Sequence, residues 1–150
     1  MSCSQPHARL HQLEDGRFQI VGQGGLATLM IGYEYVLVEE DFARYLITLD
    51  LPGMKIIDAI IYEPEQKNEI RTHKQLLIDQ QFSSDMIQNI DQPSSPDIVQ
   101  REIDLDGERF LLMDRQYVFV SAALRERLDA SGFSYLRFTE GLSEFFAAET

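Results

Sequence analysis

The chain has 150 residues, 44% hydrophobic and 25% charged, with 13 Lys and Arg facing 25 Asp and Glu for a formal net charge of -12. This length and apolar content suit one domain that buries a core without staples, and a single cysteine, Cys3, excludes an intrachain disulfide and accords with a reducing compartment. The acidity argues against direct binding to nucleic acid or to an anionic membrane surface, since both call for cations, whereas a basic protein partner is attracted and steered.

In chain order, residues 1–16 read as a polar lead-in with a short helix over 6–14, and residues 17–150 as the domain proper. The lead-in has no apolar run of the signal-peptide kind and no stretch approaches a membrane span, so a cytoplasmic location is expected. Residues 18–21 (FQIV) read as a strand, interrupted by Gly22-Gln23-Gly24-Gly25, and the short apolar run 26–31 is followed by Gly32. Residues 35–38 (YVLV) form a clearer strand. Residues 39–50 predict a helix, with Phe42, Leu46 and Leu49 on one face and Glu39, Glu40 and Asp41 in its first turn, where the helix dipole favours acids. Pro52-Gly53 ends it. The isoleucine-rich stretch 55–62 predicts a buried strand.

Residues 63–75 are polar and show no decisive period. Residues 75–80 read as a strand around Leu76-Leu77-Ile78, residues 83–89 as a short helix capped by Ser84, and residues 91–96 (DQPSSP) as a loop. Residues 98–105 alternate loosely and run into Asp106-Gly107, a dipeptide favoured in tight hairpins, with 110–113 as the returning strand. Residues 117–120 (YVFV) are a strand, Ser121 is a helix N-cap, and Leu124 and Leu128 share one helix face. Gly132 closes that helix, and Phe133, Leu136 and Phe138 open another apolar stretch. Residues 142–148 predict a terminal helix.

An internal echo accompanies this order. With Tyr35 placed on Tyr117, Val36 meets Val118, Val38 meets Val120, Phe42 meets Leu124, Leu46 meets Leu128, Leu51 meets Phe133 and Ile56 meets Phe138. The pattern is that of a duplicated unit, or of two units converging on the same packing demands. The expected fold class is α+β: one or two mixed sheets with two strand-helix-strand units, about 35–62 and 117–139, and a β-hairpin around Asp106-Gly107.

The segment Phe119-Val120-Ser121, Leu124, Leu128, Gly132-Phe133 and Leu136-Arg137-Phe138 resembles the C-terminal signature of a bacterial immunity-protein family. Its members accompany toxins of the type VI and related polymorphic secretion systems. The resemblance spans about 35–139 and is firmest over the last ~25 residues of that span; such a signature is a packing pattern rather than a chemical motif. Ser134-Tyr135 departs from the family's small or aliphatic pattern. The resemblance implies neutralisation of a cognate toxin by binding, without chemistry, and it transfers no residue roles.

Charge location points to the same kind of partner. Between Asp79 and Glu108 lie eight acids and one base, Arg101, a net of -7 out of the chain's -12. Much of this segment reads as loop and hairpin, where binding residues concentrate on a scaffold. The expected partner-binding residues are Asp85, Asp91, Asp97, Glu102, Asp104, Asp106 and Glu108; a solvated acidic face that only opposes aggregation is the alternative.

Other motifs carry less. Gly22-Gln23-Gly24-Gly25-Leu26-Ala27 matches G-x-G-x-x-A, but too few residues precede the 35–38 strand for the helix that would hold a pyrophosphate. Cys3, His7 and His11 are four apart, yet Pro6 lies among them and no fourth ligand is evident. His73 stands alone in a polar stretch and reads as a surface residue rather than a catalyst. Asp104-Leu105-Asp106-Gly107-Glu108 lacks the ligand offsets of a calcium loop. Ser121 has no glycine framing of the nucleophile-elbow kind. The expectation is therefore no catalysis, no cofactor and no metal. The chain is expected to be an immunity protein that occludes the active site of a basic toxin such as a nuclease. The alternative is a regulatory or adaptor module for another basic protein, and a nucleotide-dependent enzyme using the Gly22–Ala27 loop is a third reading.

Overall fold

The structure, a computed structural model, describes residues 9–21, 24–82, 87–88, 97–98, 107–133, 136–142 and 145–149. The elements in chain order are β1 (Arg9–Gln12), β2 (Phe18–Val21), β3 (Leu29–Gly32), β4 (Tyr35–Glu39), α1 (Glu40–Thr48), β5 (Met54–Asp58), β6 (Ile61–Glu63), β7 (Asn68–Ile70), β8 (His73–Ile78), β9 (Gln81–Phe82), β10 (Ile87–Gln88), β11 (Asp97–Ile98), β12 (Phe110–Met113), β13 (Tyr117–Ser121), α2 (Ala122–Ala130), β14 (Arg137–Leu142) and β15 (Phe145–Glu149). The class is α+β, dominated by sheet. No helix among the described residues is long and apolar enough to cross a membrane.

Three sheets hold most of the strands, in the orders β1-β2-β6-β7, β3-β4-β8-β5 and β14-β15-β13-β12-β9; β10 and β11 form a separate ladder. The first and third sheets are mixed, because β2 runs parallel to β6 and β12 parallel to β9. The second is antiparallel throughout. Its hairpin pairs Leu29 with Val38, Met30 with Leu37, Ile31 with Val36 and Gly32 with Tyr35. The hairpin of the third sheet pairs Phe110 with Val120, Leu111 with Phe119, Leu112 with Val118 and Met113 with Tyr117.

Period-two alternation sorts these strands onto two cores. Val36, Val38, Leu76 and Ile78 from the second sheet, Phe110, Val118 and Val120 from the third, and Phe42, Leu46, Leu124 and Leu128 from the helices share one buried cluster. The opposite face of the second sheet, with Met30 and Leu37, packs against Leu10, Phe18 and Ile61 of the first sheet in another. A Cβ at Gly32 would run into the Tyr35 ring, so glycine lets that ring lie over the hairpin. There Tyr35 meets Phe18 at 5.7 Å between ring centroids and its hydroxyl accepts from the Leu10 N–H at 3.4 Å.

The short helices depend on this packing, since nine residues are too few for a stable isolated helix. The Ser121 side chain caps α2 by accepting from the Leu124 N–H at 3.4 Å, and it also accepts from the buried Arg109 N–H at 3.1 Å. Gly132, at φ +86°, follows α2 in the left-handed region that glycine tolerates.

Several expected elements change. The helix expected over 6–14 is contradicted by β1, which pairs with β2 across a turn at Asp15 and Gly16. Asp15-Gly16 is a hairpin signal of the same type as Asp106-Gly107, and the Arg17 N–H holds the Asp15 carboxyl below its usual range. The strand expected over 55–62 is two strands in different sheets: β5 pairs with β8, and β6 pairs with β2 and β7. Within the helix expected over 83–89, Ile87–Gln88 is strand β10; residues 83–86, with the Ser84 cap, and 89 lie outside the described residues. The terminal helix expected over 142–148 is replaced by β15, which fills the place between β13 and β14. Ladder bonds on both edges there outweigh the helix propensity of its alanines. The first arm of the hairpin expected at Asp106-Gly107 lies largely outside the described residues, while β12 takes β13 as its antiparallel neighbour.

Two outcomes follow from these contacts. Ser121→Ala removes a cap and orphans a buried N–H, so urea unfolding is expected to show a loss of about 2 kcal/mol. Lys74 donates to Asp58 across β5 and β8 at 2.7 Å, and that bond, with the lysine charge, holds the Asp58 carboxyl below its ordinary 3.8. A depressed carboxylate stabilises the fold above its unfolded pKa and loses that contribution as pH falls through the folded value. Asp58→Asn is therefore slightly less stable than the parent at pH 7, and the difference shrinks below about pH 3.8 and vanishes at lower pH in pH-dependent thermal melts.

Candidate functional site

The β3–β4 and β12–β13 hairpins turn beside each other. Tyr33 and Glu34 close the first turn, and Asp114, Arg115 and Gln116 close the second. Glu34, Asp114 and Arg115 all have positive φ, at 68°, 51° and 62°. For residues with a Cβ this region is disfavoured by roughly 1 kcal/mol or more each. Neither turn contains the Asn or Gly that would relieve it.

The two turns clasp each other. The Glu34 N–H donates to the Arg115 carbonyl at 2.7 Å, and Arg115 Nη1 donates to Glu34 Oε1 at 2.9 Å. Glu34's hydrogen bond, helped by Tyr33, raises the Arg115 guanidinium above its ordinary pKa, so Arg115 stays charged and committed. Around this clasp Tyr33 is 61% exposed and Tyr117, two residues after Arg115, is 50% exposed.

Beside the clasp opens a cleft of about 590 Å³. One wall comes from Tyr35, Val36 and residues 75–79, the other from Leu112 and Arg115, with Gln81 between them in sequence. Leu76 and Ile78 face the shared core, so alternation turns Leu77 the other way and leaves it 37% exposed at the cleft. Asp79 is exposed, and its N–H is fixed to the Gly53 carbonyl at 2.8 Å. The cleft thus combines an apolar floor with a few polar groups, the composition of a recognition site.

The sequence-predicted rim fares differently. Asp85, Asp91, Glu102, Asp104 and Asp106 lie outside the described residues. Asp97 is on β11. Glu108 forms an ion pair with Arg127 of α2, so its charge is engaged within the fold. Among the other weighed residues, His11 is exposed on β1, while Cys3 and His7 lie outside the described residues. His73, read as a surface residue, is instead buried, at 3% exposure: Nε2 lies 2.7 Å from the Ala27 carbonyl and Nδ1 2.8 Å from the Thr72 hydroxyl. The carbonyl can only accept, so Nε2–H donates to Ala27 and, with Nδ1 partnered by the Thr72 hydroxyl, ties β8 to the segment before β3. Residues 24–28 lead into β3 with no helix between, so the Gly22–Ala27 motif lacks the helix a pyrophosphate would need.

Sequence reading missed Tyr33, Glu34, Leu77, Asp79 and Arg115 as a group. The one available signal was the alignment of Tyr35 with Tyr117, which puts the two turns at matching positions. Comparison with protein-family models, curated proteins and solved structures finds no match.

The clasp is solvent-exposed, so it is expected to contribute modestly to stability. A double-mutant cycle with Glu34→Gln and Arg115→Gln should give a small coupling that shrinks in 1 M salt. The backbone bond between the turns survives both changes, so neither variant should unfold.

Proposed function

We propose that this chain is an immunity-type inhibitor, a non-enzymatic module that binds a cognate secreted antibacterial toxin and occludes its active site. The toxin is a basic protein such as a nuclease. The observation that carries the reading is the exposed seam of the two hairpins, where Tyr33, Glu34, Arg115 and Tyr117 flank an open cleft on a protein of net charge -12. Tyr and Arg are enriched among the residues that dominate protein–protein binding energy. The strong negative charge favours encounter with a cationic surface, above all with a nuclease whose own site must attract phosphate. The resemblance to immunity proteins read from the sequence of residues 117–139 is in keeping with this proposal.

The same proposal takes the chain as two strand-helix-strand units, about 35–62 and 117–139, derived from one ancestor and each completed by flanking strands. Its support is positional. Val38 and Val120, 82 positions apart, occupy the same place in their hairpins, and so do Leu37 and Phe119. Helices α1 and α2 start 82 positions apart and have nine residues each. Ile56 pairs with Leu76 as Phe138 pairs with Ala148, and Ile57 with Gln75 as Thr139 with Ala147. The strand orders β3-β4-β8-β5 and β12-β13-β15-β14 correspond element for element. On this reading the first unit carries the insertion β6–β7, and the cleft lies at the seam between the units.

Co-expression with the product of the adjacent gene tests the function. Growth arrest by that product, relieved when this chain is supplied and accompanied by a co-purifying complex, is the expected result. Absence of both complex and rescue would overturn the inhibitor reading; a complex without rescue would assign the chain to the adaptor alternative.

A further inference from the structure

We propose that the cleft at the hairpin seam receives an arginine- or lysine-bearing loop of a protein partner. The cationic head sits at Asp79, and the aliphatic stem lies along Leu77 and Leu112. This deepens the inhibitor reading and rests on it for the partner's identity.

Three features of the cleft select that occupant. The first is charge. Arg115, the cation of the lining, is already held by Glu34 at 2.9 Å, whereas Asp79 has no ion pair among the described residues. Its position is nevertheless set, because its N–H is bonded to Gly53 and Ile78 before it is anchored in the core. A carboxylate on a fixed backbone at a cleft mouth is preorganised for a charge-assisted hydrogen bond.

The second feature is the floor. Leu77, near the end of β8, is exposed although β8 is an inner strand of its sheet and Leu76 and Ile78 beside it are buried. An apolar occupant alone would cover Leu77 but desolvate Asp79 without a partner, which is costly. A small inorganic cation would satisfy Asp79 but leave the apolar surface wet. A long side chain with a charged end satisfies both, since Lys and Arg bury their stems while the head stays polar. An anionic occupant meets repulsion from the chain's net -12 and finds Arg115 occupied; a second copy of the chain brings that same charge.

The third is size. At about 590 Å³ the cleft exceeds what one side chain fills and falls in the range of sites that enclose a small ligand or a short peptide stretch. A loop that carries the cation, flanked by apolar residues, matches that room.

The test uses the ¹⁵N-labelled full chain and three probes: acetyl-Leu-Arg-Leu-amide, its citrulline counterpart and acetyl-Leu-Leu-Leu-amide. Citrulline keeps the shape of arginine and removes its charge. The arginine peptide is expected to shift the amides of Leu77, Asp79 and Leu112, with the other two binding at least about tenfold more weakly. Asp79→Asn should weaken the arginine peptide by a similar factor, and Leu77→Ser should weaken it while leaving the charge preference intact. The spectra themselves report whether each variant is folded. Equal binding of the citrulline peptide, no loss in Asp79→Asn, shifts confined to other surfaces, no binding, or a concentration-dependent self-association mapping to this cleft would each overturn the proposal. These outcomes are separate from the co-expression result: rescue of growth with no peptide at the cleft sinks only the cleft assignment. Charge-selective peptide binding without rescue sinks only the toxin.

Discussion

The structure depends on one shared apolar core between the second and third sheets. Each helix has only nine residues, and neither can bury its stripe alone. Phe42 and Leu46 from α1 meet Leu124 and Leu128 from α2 in the same cluster that receives Val36 and Val38 from β4 and Val118 and Val120 from β13. The aromatic contact between Phe42 and Phe133, 5.1 Å between ring centroids, and the bond from the Tyr45 hydroxyl to the Arg127 carbonyl tie the α1 face to the segment around α2. Removing either half would expose the apolar face of the other, so the two halves stand or fall together.

That mutual dependence also creates the seam. Once the core sets the two hairpins side by side, their turns meet at Glu34 and Arg115, and the chain accepts three non-glycine residues in the left-handed region there. Backbone in such conformations persists where the surroundings over-determine it. The local cost is offset by the core behind the turns, which sets exposed Tyr, Glu and Arg side chains beside an open cleft.

How much was legible in the sequence follows from how local each signal is. The helix 39–50 was readable because Phe42 and Leu46 are four apart, and it is observed as Glu40–Thr48. Ser121 was readable as a cap because capping joins neighbours in sequence, and its hydroxyl accepts from Leu124. The segment 142–148 was misread because its alanines favour helix locally, while the decision belonged to β13 and β14, between which it fits. Residues 9–12 were misread because a single buried residue, Leu10, sets no period. The candidate site was the least legible part. Asp79 and Arg115 lie far apart in sequence, and neither carries a motif; only the fold sets them around one cleft.

The sequence alone determined the class of the protein: an acidic α+β chain with helices near 39–50 and after the Ser121 cap, and apolar positions that recur at a spacing of 82. Those properties are local or periodic, and period and composition are written in the chain itself. Tertiary structure decided which strands are neighbours, that residues 55–62 divide between two sheets, that His73 is buried and that Glu108 is spent on Arg127. It also decided that the joined turns carry exposed side chains beside an open cleft. Pairing and exposure are properties of surfaces brought together across long sequence separations, and no window along the chain contains both partners.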